Sequence, residues 1–80
     1  MQITDKIKDL IKRIESNEVD RSELIKILKR IDKVPEFKNH AAFFGSGIRL
    51  SRLQDKNIDS DIHDTRDFLL SAFRVYFDLK

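Results

Sequence analysis

The chain has 80 residues, of which 40% are hydrophobic and 38% charged, and its formal net charge is +2. A chain of this length hides only roughly 60 to 65% of its unfolded surface, which excludes a second domain and predicts a single domain over residues 1–80. Because the sequence lacks cysteine, disulfides and thiolate metal sites are excluded, and we expect a cytoplasmic location.

The composition favours helices. There are only two glycines and one proline, whereas Leu, Lys, Arg and Glu, which are common in helices, are abundant. Charged residues run through positions 1–14, which argues against a signal peptide, and no apolar run is long enough to span a membrane. We therefore predict an all-α bundle of four helices without a membrane partner.

The first predicted helix has one apolar face. Its apolar residues recur at steps of three and four, and Thr4 can cap its amino end. The segment Ser16, Asn17 and Glu18 interrupts this pattern. The apolar residues of this face are Ile3, Ile7, Leu10, Ile11 and Ile14.

The second helix has a well-marked start at Asp20. Glu23 stands three residues later, as in a capping box, and Val19 can pack on Leu24 as a hydrophobic staple. The buried stripe that follows comprises Leu24, Ile27, Leu28 and Ile31. Because the connection between the first two helices is short, we expect them to form an antiparallel hairpin.

A third helix is predicted from about Pro35, which suits a first helical position. Phe37, Ala41, Phe44 and Ile48 keep helical spacing. Gly45 and Gly47 either interrupt this helix or allow close packing within a continuous one. We favour the interrupted version.

The last helix carries aromatic residues almost to the end of the chain. Its start can be capped by Asp59, Ser60 or Asp61. Its apolar residues occupy more than one stripe, which indicates either a central helix of the bundle or contact with another chain. All seven aromatic residues lie between Phe37 and Phe77.

No motif predicts catalysis. The Gly45–Gly47 segment could form an anion nest, but its spacing matches no nucleotide-binding loop. Residues 57–68 begin like a calcium loop but have Ile62 and Phe68 where that loop needs Gly and Glu. His40 and His63 show no metal-binding spacing. We expect no enzyme activity, no small-molecule substrate, and no metal or organic cofactor.

The excess of apolar side chains near the carboxyl end predicts a protein partner or self-association. Helical surfaces bind through apolar anchors spaced by three and four residues. The chain is therefore predicted to be a non-enzymatic protein-interaction module of the adaptor, inhibitor, immunity or antitoxin kind. Its predicted contact residues are Leu69, Phe73, Tyr76 and Phe77.

The alternative is a nucleic-acid-binding module. Residues 1–56 hold 13 Lys or Arg against 9 Asp or Glu, whereas residues 57–80 hold 3 against 5. A basic stripe on the second helix, extended by the third, suits phosphate groups or an acidic protein. The cations of this predicted stripe are Lys26, Lys29, Arg30, Lys33, Arg49 and Arg52.

Overall fold

A computed structural model describes residues 5–55 and 59–78, which form α-helices joined by short turns. No strand occurs within those two ranges, and the all-α prediction is confirmed. The elements are α1 (Asp5–Glu15), α2 (Arg21–Lys33), α3 (Pro35–Lys38), a 3₁₀ turn (Ala41–Phe43), α4 (Ser46–Asp55) and α5 (Asp59–Tyr76). Four of these helices have 10 to 18 residues, and α3 is a single turn.

The end of α1 is set by Asn17. Its φ of 59° places it in the left-handed region, which asparagine tolerates better than most residues. The backbone N–H of Glu18 donates to the carbonyl of Arg13, and that of Asn17 to the carbonyl of Ile14, the pair of bonds that defines a Schellman end. The predicted amino-terminal cap, Thr4, lies outside the described residues.

The start of α2 follows the prediction in part. The Oδ1 atom of Asp20 accepts a hydrogen bond from the backbone N–H of Glu23 at 2.9 Å, and Val19 and Leu24 are fully buried. The reciprocal half of the capping box was predicted wrongly. The carboxylate of Glu23 instead pairs with Nη2 of Arg13 at 2.7 Å, which links α2 to α1.

The interrupted third helix is confirmed, although the interruption comes earlier than expected. Pro35 begins α3, which ends at Lys38. His40 then accepts a hydrogen bond at Nδ1 from the backbone N–H of Ala42, and so caps the 3₁₀ turn. Gly45, with a φ of +93°, reverses the chain into α4, a conformation that residues with a Cβ rarely adopt.

The interruption decides which phenylalanine of the Phe43–Phe44 pair is buried. Phe43 is 1% exposed and lies in the core, whereas Phe44 is 65% and Ile48 63% exposed. The helical spacing of Phe37, Ala41, Phe44 and Ile48 does not correspond to one continuous helix. The 3₁₀ turn and Gly45 break that periodicity, so the neighbouring phenylalanine enters the core.

Helix α5 is the central helix of the bundle. It packs against α1, α2, α4 and the 3₁₀ turn. Of the two predicted alternatives, a central helix or a helix that contacts another chain, this packing agrees with the first. Arg66 fixes it to the turn between α1 and α2, because Nε and Nη2 both donate to the carbonyl of Val19, at 3.2 and 2.6 Å. None of the helices in these ranges combines the length and apolar content that crossing a bilayer requires.

Helices α1 and α2, which were expected to form an antiparallel hairpin, make most of their contacts with other elements. Although the two helices are consecutive, α1 packs on α5 and α2 packs mainly on α4 and α3. Residues of both helices line a depression between them. A groove therefore lies between the two helices.

Candidate functional site

A groove lies between α1 and α2 and is called the α1–α2 groove. Its main part has a volume of about 340 Å³. Apolar side chains form most of its walls and floor, and two cations stand at its edge. The lining residues are Lys6, Ile7, Leu10, Ile27, Arg30, Ile31, Val34, Phe37 and Phe73.

A shallower part of about 190 Å³ continues the groove toward the turn that joins the helices. It shares Leu10, Ile27 and Arg30 with the main part, and its other lining residues are Arg13, Glu23 and Lys26. The ion pair between Arg13 and Glu23 closes this end. The depression therefore runs along both helices rather than forming an isolated pit.

The groove exists because both helices have apolar stripes wider than the core requires. On α1, Ile11 and Ile14 are buried, while Leu10, one position around the helix, is only half-buried. On α2, Leu28 is buried and Ile27 is half-buried in the same way. The margins of the two stripes face the groove instead of each other. Apolar surface left open in this way is typical of a contact site.

The aromatic floor joins the groove to the carboxyl-terminal helix. Phe37 lines the groove, and its ring centroid lies 5.3 Å from that of Phe43, 4.8 Å from Tyr76 and 6.4 Å from Phe77. Tilted and edge-on arrangements at these distances are favourable. Aromatic side chains of the 3₁₀ turn and of the carboxyl-terminal segment thus pack against Phe37 and hold this part of the groove floor in place.

The structure corrects the predicted role of two contact residues on α5. Leu69 is 0% and Phe73 2% exposed, so both belong to the core of the protomer and cannot project from its surface. Phe73 still forms part of the groove floor. Tyr76 and Phe77 are half-buried and support Phe37. The prediction failed because covering α5 on several sides uses the side chains that were expected to be free.

Tyr76 lies in a partly closed environment. Partial burial, and secondarily the nearby carboxylate of Glu36, raise the pKa of the Tyr76 phenol above its ordinary value, because both disfavour the phenolate. The ring of His40 lies 4.9 Å from that of Tyr76 in an edge-on contact. Tyr76 is the only tyrosine, and the chain has no tryptophan, so its spectrum reports on this cluster alone.

Four of the predicted cations lie together on α2. Lys26, Lys29, Arg30 and Lys33 are all exposed. Lys26 and Arg30 line the α1–α2 groove, whereas Lys29 and Lys33 do not. The groove therefore has a positively charged rim, and two more of the predicted cations lie on the same helix outside it.

Arg49 is not part of this basic surface, which corrects its predicted role. Its guanidinium lies 4.2 Å above the ring of Phe68, and its Nη1 donates to the carbonyl of Gly45. Its Nε is 3.1 Å from Oδ2 of Asp64, an ion pair that lacks hydrogen-bond alignment. Arg49 thus joins α4 to α5, while Arg52 stays exposed on α4.

The groove offers no arrangement that resembles a catalytic or metal centre. Its lining includes neither histidine, and no group of three or more possible metal ligands occurs in residues 5–55 and 59–78. Comparison of the chain with protein-family models, curated proteins and solved structures returned no match.

Sequence reasoning missed the groove although it recognised most of the residues that line it. Ile7 and Leu10 were assigned to the apolar face of the first helix, and Ile27 and Ile31 to the buried stripe of the second. The available signal was the width of the stripes, since Leu10 with Ile11 and Ile27 with Leu28 are adjacent apolar pairs. Such pairs widen the apolar stripe of a helix.

Proposed function

We propose that this chain is a non-enzymatic protein-interaction module that binds through the α1–α2 groove. The observation that carries the proposal is an apolar groove with a basic rim, formed by two consecutive helices that pack mainly on other elements. Apolar floors with charged rims are the usual composition of protein contact sites. A cytoplasmic location belongs to the same proposal.

The groove suits a macromolecule better than a small metabolite. Its polar groups are chiefly the long cationic side chains Lys6 and Arg30 at the edge, whereas small-molecule sites use several fixed polar groups to orient the ligand. A helix or strand of another chain can instead use the whole length of the groove. The binding free energy would then come from burial of the apolar side chains of Leu10, Ile27 and Val34.

Nucleic-acid binding is the competing function, and it is favoured by the exposed cations on α2. The absence of Arg49 from that surface weakens the case for nucleic-acid binding, since the Arg49 guanidinium contacts Phe68 and Asp64 instead. Phosphate contacts would also leave the apolar floor of the groove unused. Phosphate binding weakens steeply between about 50 and 200 mM salt, whereas apolar contacts persist.

Site-specific photo-crosslinking tests the proposal. A photoreactive amino acid is placed at Val34, on the groove, or at Ile48, an exposed apolar position on α4 outside it. Crosslinks in cells of the source organism are then identified by mass spectrometry. We expect protein crosslinks, to a partner or a second copy, from Val34 and far fewer from Ile48.

Two results would overturn the proposal. One is a set of crosslinks that forms equally from Ile48 and Val34, because contact would then not depend on the groove. The other is crosslinking from Val34 mainly to nucleic acid, with binding lost at moderate salt. Solution mass measured against concentration, in low and high salt, distinguishes a second copy from a different protein partner.

A further inference from the structure

We infer that the partner of the α1–α2 groove presents an acidic amphipathic helix. This inference rests on the proposed function and specifies the chemistry of the partner. It is carried by two independent properties of the groove: the helical spacing of its apolar walls and the uncompensated charge on its rim.

The walls have the spacing that receives another helix. On α2 and its C-cap residue, Ile27, Ile31 and Val34 follow at steps of four and three residues, and on α1, Ile7 and Leu10 are three apart. Side chains spaced in this way form ridges between which the side chains of a third helix can pack.

The length of the groove accommodates about three turns of a partner helix. The wall formed by α2 and its C-cap residue extends from Glu23 to Val34, which at 1.5 Å per residue is about 16 Å. Three turns bring apolar side chains at i, i+3 or i+4, and i+7 onto one face. The rigid aromatic floor at Phe37 gives one end of the groove a large apolar surface for such an anchor.

The rim specifies the charge of that helix. Within the described residues, Arg13 is paired with Glu23, but no carboxylate forms an ion pair with Lys6, Lys26 or Arg30. These three cations stand on both sides of the groove, with Lys6 on α1 and the other two on α2. Glu or Asp side chains flanking the apolar face of a bound helix would meet them, and charge complementarity of this kind sets partner choice.

The probe is a synthetic helical peptide with Leu at i, i+3, i+4 and i+7 and Glu at the flanking positions. Its control has Gln in place of every Glu. Binding is followed by NMR of the isoleucine methyl groups, where Ile27 and Ile31 report on the groove and exposed Ile48 reports on nonspecific apolar contact. We expect shifts at Ile27 and Ile31 but not Ile48, and binding about tenfold weaker for the Gln peptide.

A matched pair of double variants tests the rim. Lys26→Glu with Arg30→Glu reverses two cations that line the groove, and Lys29→Glu with Lys33→Glu reverses two on the same helix outside it. All four residues are exposed, so both variants should fold, and both change the net charge equally. We expect the first pair to weaken the Glu peptide at least about tenfold and the second less than about threefold.

The outcomes separate this inference from the proposed function. Equal affinity for the Glu and Gln peptides, or equal losses in the two double variants, would overturn the acidic helix as partner. Protein crosslinks from Val34 would in that case still support the groove as a contact site. Shifts at Ile48 equal to those at Ile31, together with an absence of groove crosslinks, would refute both.

Discussion

Replacing Phe43 by alanine should destabilise the protein far more than the same change at its neighbour, Phe44. Phe43 is 1% exposed, and its ring lies 5.3 Å from Phe37, 5.7 Å from Phe73 and 5.6 Å from Tyr76. Truncating a buried phenylalanine to alanine costs about 3 to 5 kcal/mol. Since each aromatic pair adds about 0.5 to 1.5 kcal/mol beyond the buried area, we expect a loss near the upper end.

This loss is large compared with the stability available. At about 0.05 to 0.15 kcal/mol per residue, a chain of this size is stable by roughly 4 to 12 kcal/mol. Because the alanine substitution removes a large part of that stability, Phe43→Leu provides a milder change of about 1 to 2 kcal/mol. Phe44 is 65% exposed, and Phe44→Ala should therefore stay within about 0.5 kcal/mol of the parent.

Urea denaturation followed by far-ultraviolet circular dichroism measures these differences. With a slope of about 1 kcal/mol per molar urea, Phe43→Leu should lower the midpoint by at least about 1 M. Phe44→Ala should leave it nearly unchanged. A larger loss from Phe44→Ala than from Phe43→Leu would refute the turn described here and restore the continuous helix that puts Phe44 in the core.

Three further predictions concern backbone, hydrogen bonding and ionisation. Gly45→Ala should destabilise the fold by about 1 to 2 kcal/mol, because Gly45 has a φ of +93° and an added Cβ would meet Arg49. Gly47 lies on α4 with open space around it, so Gly47→Ala should stabilise the fold by about 0.5 to 1 kcal/mol. Arg66→Ala should cost about 2 kcal/mol, because its two hydrogen bonds from α5 to the α1–α2 turn are lost. The pKa of the Tyr76 phenol should lie above its ordinary value of about 10. The stability that the protonated phenol contributes is therefore present below about pH 10, and it is lost as the pH rises through the pKa of the folded state.

Each of these predictions has a control. For the glycines, opposite signs of the two denaturation shifts are expected, and equal signs would contradict the assigned backbone. For Arg66, the comparison is Arg74→Ala, which removes a half-exposed ion pair with Glu15 and should cost less than about 1 kcal/mol. Tyrosinate absorbance gives the Tyr76 titration directly, and a midpoint at or below that of the urea-unfolded chain would contradict its partial burial.

Local signals in the sequence were sufficient for the ends of several helices. The Asp20 cap needs only a short polar side chain beside the first free N–H groups of a helix, and the structure has that bond. Interruption at Gly45 likewise follows from a conformation that glycine adopts readily. Such features depend on residues within a few positions of one another, which is why a sequence pattern can locate them.

Choices between neighbouring apolar residues could not be made in this way. Phe43 and Phe44 are equally apolar, and the 3₁₀ turn capped by His40 decides which of them is buried. Leu69 and Phe73 were likewise expected at a surface, and they lie in the core. How many sides of α5 are covered depends on elements far away in the chain, and periodicity within α5 carries no information about them.

The sequence by itself determined an all-α fold, the cap of α2 and the accumulation of cations on that helix, because each follows from local propensity and spacing. The tertiary structure decided that α1 packs on α5 and that α2 packs mainly on α4, although α1 and α2 are neighbours in sequence. Their apolar margins, Leu10 and Ile27, line the groove between them. Packing partners are chosen by the free energy of the whole core, so the groove exists only once every helix has been placed.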